Sequence, residues 1–141
     1  MKLKINHVNV WAASIADRPG GLANKLEALT KAGTNIEFMI ARRAPDRPGT
    51  GVVFVTPLHG ARQERAAARN DFVKTDSLHS IRVEGKDQRG LGAKMTRALA
   101  NAGINLRGVS AAAIGKKFVA YFAIDSAADS SKAVKVLKAL K

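Results

Sequence analysis

The chain has no cysteine, so disulfides, thiolate zinc sites and a cysteine nucleophile are excluded, and a reducing compartment is the natural setting. Aromatic residues are scarce, with one Trp, one Tyr and five Phe. A core must then rest on Val, Ile, Leu and the many Ala, which suits helices packed closely on a sheet. No apolar run approaches the roughly 20 residues that span a bilayer. The first residues, Met1 to His7, have no apolar signal core behind their lysines. A cytoplasmic location without membrane contact is the expectation. Acidic residues are also few, at 11 against 24 Lys and Arg, which gives a net charge of +13. The excess is spread over both halves with no basic tail, so it speaks of attraction to anions rather than of a nucleic-acid-binding arm. What is present in quantity is apolar sequence, 46% of 141 residues, enough for one ordinary domain or two very small ones.

The strongest internal feature is self-similarity. At a constant shift of 70 positions, Asp17, Gly20, Ala23, Ala28, Leu29, Ala32, Gly33 and Asn35 meet Asp87, Gly90, Ala93, Ala98, Leu99, Ala102, Gly103 and Asn105. Each copy has the same grammar. An alternating strand comes first, with Val8, Val10 and Ala12 on one face in the first copy and Ile81 and Val83 in the second. An Asp- and Gly-containing turn leads into a helix whose buried stripe is Leu22, Leu26 and Leu29, or Met95 and Leu99. Gly33 and Gly103 stand where a helix end needs a left-handed residue. A second strand follows through Ile36–Ile40 or Leu106–Val109, then a returning strand, Val52–Val55 or Phe118–Phe122. A second helix is predicted around Gly60–Arg69, and another with apolar Ala133, Val136, Leu137 and Leu140. Asp71–Lys74 reads as a short fourth strand, for which the second copy has no residues left.

The fold class is therefore α+β: two tandem ferredoxin-like βαββαβ units with antiparallel sheets and helices on one face, residues 1–76 and 77–141. Without its last strand, the second unit leaves the strand around His79–Glu84 with an open edge. Such an edge invites pairing. The expectation is that the other copy or a second chain covers it, which points to a homodimer.

The turn Asp17-Arg18-Pro19-Gly20-Gly21-Leu22, with its helix and the following Ala-Gly-Thr-Asn-Ile, resembles the ACT domain family. The second copy, with Arg89-Gly90-Leu91-Gly92 and Ala-Gly-Ile-Asn-Leu, is similar but weaker. The resemblance runs over about residues 6–76 and 78–141. It implies a non-catalytic regulatory module that binds a small metabolite, commonly an amino acid, between this turn and the second strand of a neighbouring module. The matching positions are Asp17, Arg18, Pro19, Gly20, Gly21 and Leu22, with Asn35 and Ile36 on the facing strand. The second set is Asp87, Gln88, Arg89, Gly90, Leu91 and Gly92, with Asn105 and Leu106. The resemblance implies no cofactor and no metal. Physical chemistry points the same way, since a glycine turn feeding a helix presents free N–H groups and the positive end of a dipole to a carboxylate. Asp17 and Asp87 then suit an ammonium group, and the two asparagines offer donor and acceptor together. The plainer reading is that each Asp caps its helix and each Asn tightens the start of a strand. Asp46-Arg47-Pro48-Gly49 copies the first turn but lies between strands, where a hairpin turn accounts for it.

Other functions have less behind them. His7, His59 and His79 have no companions at metal-ligand spacing, and Ser14, Ser77, Ser80 and Ser110 lack a nucleophile elbow. Gly90-x-Gly92 is only a fragment of a dinucleotide fingerprint. The alternatives kept are a basic nucleic-acid-binding module, with Arg42, Arg43, Arg47, Arg62, Arg65 and Arg69 along one face, and a module that docks on a regulated protein partner. Nucleic-acid binding ranks low, because the Phe residues fall in core patterns and leave no stacking platform.

Overall fold

A computed structural model describes residues 2–75 and 79–141 of the chain. The expected junction between residues 76 and 77 lies outside the described residues. Two compact units are present, Asn9–Thr75 and a second that joins Met1–Val8 to Asp76–Lys141. The first eight residues thus leave the unit to which the sequence reading assigned them.

In the unit Asn9–Thr75, strand β2 (Trp11–Ala16) leads into helix α1 (Gly21–Lys31), followed by β3 (Phe38–Arg43), β4 (Thr50–Thr56), α2 (Gly60–Arg69) and the short β5 (Val73–Lys74). The sheet order is β3-β4-β2-β5, with every neighbouring pair antiparallel. The core joins Trp11, Ala13, Val53 and Val55 from the sheet to Leu29 and Ala67 from the helices, and Leu22 and Leu26 pack at its margin. The inward residues of β2 are one position out from the expected Val8, Val10 and Ala12. Because side chains alternate strictly, a one-residue change of frame exchanges the two faces. Trp11, opposite Val55, sets the frame by burying the largest side chain of the strand. Val10 is buried too, but in the link before β2 rather than in a ladder.

The other unit contains β1 (Lys4–Val8), β6 (His79–Lys86), α3 (Leu91–Asn101), β7 (Leu106–Ile114), β8 (Lys117–Ile124) and α4 (Ala127–Lys138). Its order is β1-β6-β8-β7. The edge of β6 that the sequence left open is filled by the chain's own N-terminal strand, from Lys4 opposite Glu84 to Val8 opposite Ser80. Neither the other repeat nor a second chain is needed there, so the edge no longer argues for a dimer. Ile5, directly opposite Val83, joins the core cluster of Ile81, Phe122, Met95, Leu99 and Leu137. Leu91, Met95 and Leu99 recur every fourth residue, which places them on one helix face.

Both first helices end alike. In α1, Ala32 and Thr34 donate backbone N–H to Leu29 O and Gly33 to Thr30 O; in α3, Ala102 and Ile104 donate to Leu99 O and Gly103 to Ala100 O. Gly33 (φ 88°) and Gly103 (φ 76°) take the left-handed conformation these closures require.

Candidate functional site

The turn between β2 and α1 is built from backbone. Asp17 N–H donates to Gly49 O at 3.0 Å, which pins the turn to the β3–β4 hairpin. Arg18 N–H donates to Ala16 O and Gly21 N–H to Arg18 O; the helix then opens with Asn24 N–H on Gly20 O. Gly20 is the N-cap, left-handed at φ 88°, and no side chain caps the helix. Its neighbour is glycine for a different reason. A Cβ on Gly21 would collide with Ala16 O, whereas one on Gly20 would meet nothing within 4 Å. Strand end and helix start therefore touch at Gly21 and leave Gly20 open. An uncapped helix start facing open space offers N–H donors and a positive dipole end to an outside anion.

The β6–α3 turn repeats most of this arrangement, with the Asp bonded to the facing hairpin and the two helix-start bonds at the shift of 70. Asp87 N–H donates to Lys116 O, Leu91 N–H to Gln88 O and Lys94 N–H to Gly90 O. Gly90 is again a left-handed N-cap, φ 78°, without a side-chain cap. The aspartates thus do not cap their helices. Asp17 instead pairs with Arg43, Oδ2 to Nε at 3.0 Å, across the end of β3. The Arg43 side chain is largely in water and the Asp17 side chain about a third exposed, so the pair contributes under about 1 kcal/mol and a ligand cation can displace it.

Of the predicted positions, Asp17 to Gly20 and Asp87 to Gly90 are exposed on their turns, as is Gly92. Leu91 is 2% exposed within the core and presents only its backbone. Leu22 packs at the core margin in the same way. Asn35 and Ile36 precede β3, and Asn105 and Leu106 stand where β7 begins; all four lie beyond the far end of their helix. Eleven helical residues separate the two ends, roughly 16 Å at 1.5 Å per residue. Within one unit, then, the turn and the asparagine do not converge. What the fold does bring to the first turn is Arg43 and the hairpin carbonyl of Gly49, which the sequence reading missed. The repeated Asp-Arg-Pro-Gly at 46–49 was the available signal.

The arginines proposed for one basic face divide between two. Arg42 stands across from Val52, which stands across from Ser14, on the face opposite Trp11 and Val53. Arg62, Arg65 and Arg69 ride on α2, whose Ala67 packs on the Trp11 side. In the second unit, Arg82 donates Nε–H to Tyr121 Oη at 3.0 Å and Nη1–H to the Glu84 carboxylate. The hydrogen bond from Arg82, then its charge, holds the Glu84 carboxyl below its ordinary range. Among the described residues, no group of three His, Cys, Asp or Glu is placed to hold a metal ion, and no helix is long and apolar enough to cross a membrane.

The order β1-β6-β8-β7, with two helices on one face and a glycine turn before the first, can be compared with known families. Residues 79–141 match the ACT domain. The ACT match begins at β6 and so omits β1, the strand that completes the sheet. No curated protein matches the sequence. Among solved structures, a protein of Bacteroides thetaiotaomicron shares the fold with a TM-score of 0.77 at 15% identity, covering 95% of this chain and 88% of that one. The ligand-free regulatory subunit of aspartate kinase from Thermus thermophilus gives 0.68 at 18% identity, with 100% and 98% covered. That of Thermus flavus gives 0.59 at 19%, with 96% and 93% covered. At these identities the likeness is one of fold. It extends over nearly the whole chain, the unit Asn9–Thr75 included.

Proposed function

We propose that the chain is a non-catalytic regulatory protein of two ACT-type units that binds a small carboxylate-bearing metabolite, an amino acid, at its helix-start turns. The observation that carries this reading is the pair of uncapped glycine helix starts, at Gly20 and Gly90, whose helix-start bonds match in the two units. The ligand carboxylate docks on the free N–H groups of the first helical turn, and its ammonium displaces Arg43 from Asp17. Asn35 and Asn105 act from outside the unit whose turn they serve, because their own turns lie a helix length away. A second copy of the chain supplies them, so ligand and homodimer stabilise each other, and the altered assembly is what a regulated partner protein reads.

A thermal-shift screen of the twenty amino acids in high salt tests this reading, since ligand bound only by the folded state raises Tm. The double variant Gly20→Asn, Gly90→Asn is the control. Asn tolerates a left-handed backbone, where a β-branched residue would be strained, and its side chain occupies the open approach. The shift given by the active amino acid should vanish in this variant. A normal response would remove the turns from the site.

A further inference from the structure

The unit Asn9–Thr75 contains a second concavity, away from the glycine turn. Helices α1 and α2 run antiparallel, and a trough of about 470 Å³ lies between them. Both ends are tied. Arg62 Nη2 donates to Lys31 O at 3.3 Å and Gln63 Nε2 to Gly33 O at 3.0 Å, while at the other end Lys25 Nζ donates to Asn70 O at 2.6 Å. The trough is therefore a fixed feature of the helix pair. Its floor is Ala28, Ala32 and Ala66, small enough to let a ligand sit low between the helices.

Its rim is cationic. Lys31, Arg62 and Arg69 line it against the single carboxylate of Glu27. Among the described residues none of these three cations joins an ion pair, although four other basic residues do. With few acids in the sequence to neutralise them, unspent charge gathers at a trough whose volume suits a small molecule. Arg62 and Arg69 stand two helical turns apart, roughly 10 Å between their backbone positions along the axis, a spacing that suits an anion with more than one charged group. Guanidinium forks match phosphate oxygens in pairs.

We propose that this trough binds a small ligand with two or more linked phosphate groups, the chemistry shared by inorganic oligophosphates and the phosphate chain of a nucleoside triphosphate. Arg62 and Lys31 take one end of the chain, and Arg69 takes the other, where Asn24 and Asn70 stand beside it. Glu27 opposes binding and keeps it weak, so the trough responds to high ligand concentration. This site is independent of the amino-acid site proposed above.

The test is calorimetric titration of the full-length chain with inorganic tripolyphosphate and, separately, ATP at near-physiological salt, with backbone amide NMR shifts to locate the ligand. Shifts should centre on residues 24–32 and 62–70. Arg62→Ala with Arg69→Ala should weaken binding at least about tenfold. A control that removes two exposed cations that do not line the trough, Lys132→Ala with Lys135→Ala, should stay within about twofold, as expected when direct contact rather than net charge carries the binding. Glu27→Gln should bind a few-fold tighter, a gain that misfolding cannot produce. Equal affinity for the two probes assigns recognition to the phosphate chain, and tighter ATP adds the nucleoside; both uphold the site. Equal losses in the two double variants, or shifts spread over the surface, would reduce the effect to general charge attraction and overturn the proposal, as would an unchanged affinity for Glu27→Gln.

Discussion

Replacing Ile5 with Ala tests the strand exchange at the N-terminus. Ile5 is 8% exposed, stands opposite Val83, and fills the second core beside Ile81 and Phe122. Truncating a buried Ile to Ala costs about 2–5 kcal/mol, the lost transfer energy plus the cavity left behind. An edge strand of five residues relaxes more readily than a central one, so we take about 3 kcal/mol. At 1.4 kcal/mol per decade that is roughly a hundredfold in the opening equilibrium of the unit. Amide hydrogen exchange separates the two units, because protection reports local opening. Slow amides of β6 and β8 should lose about two decades of protection, whereas those of β2 and β4 should change little. The sole tryptophan, Trp11, lies in the other core and gives a second readout, a fluorescence transition that stays close to wild type. Undiminished protection in β6, or equal losses in β2 and β4, would mean that β1 does not belong to the second sheet.

Two further substitutions read other parts of the structure. Gly21→Ala places a Cβ against Ala16 O and should destabilise by about 3 kcal/mol or more, while Gly20→Ala meets only its left-handed backbone and should cost about 1–2 kcal/mol; denaturant melting distinguishes them. Glu84→Gln tests the Arg82 clasp through pH. Because the folded carboxyl titrates below its unfolded value, its stabilisation is present above the ordinary carboxylate range, about pH 4.3, and is lost as pH falls through the lowered folded value. The urea midpoints of wild type and variant should differ at pH 7, and the difference should shrink as pH falls below the ordinary carboxylate range; a difference that does not shrink with acidification would rule out a carboxylate origin.

Several elements were legible because their signals are local. Helix α2 falls on the predicted Gly60–Arg69 despite its alanine-rich sequence, since His59 and Gly60 mark its start and Ala66 and Ala67 mark its buried side. The turns at 17–22 and 87–92 were legible because glycine at a helix start means the same thing in either copy. Strand β7 was not. Predicted to stop at Val109, it runs to Ile114 through a string of alanines that carries no alternation of its own, held by pairing with β8. The site was legible by halves. The turns are where the sequence put them, but Arg43 reaches Asp17 only because β3 runs parallel to β2, two strands away in the sheet.

The sequence by itself determined the helix stops at Gly33 and Gly103 and the glycines at the helix starts, because each rests on the conformational limits of a few neighbouring residues, whereas the lack of an Asp cap at those starts was decided by the folded turn. Tertiary structure decided where the first strand goes. Lys4–Val8 alternates as well for one sheet as for the other, and nothing within it names a partner. The choice falls to the β6 edge, whose unpaired backbone groups and buried Val83 and Ile81 reward a strand that brings Ile5. It also decided that Arg43, at the end of β3, meets Asp17 beyond the end of β2, because that meeting depends on the strand order of the sheet and no short motif contains it.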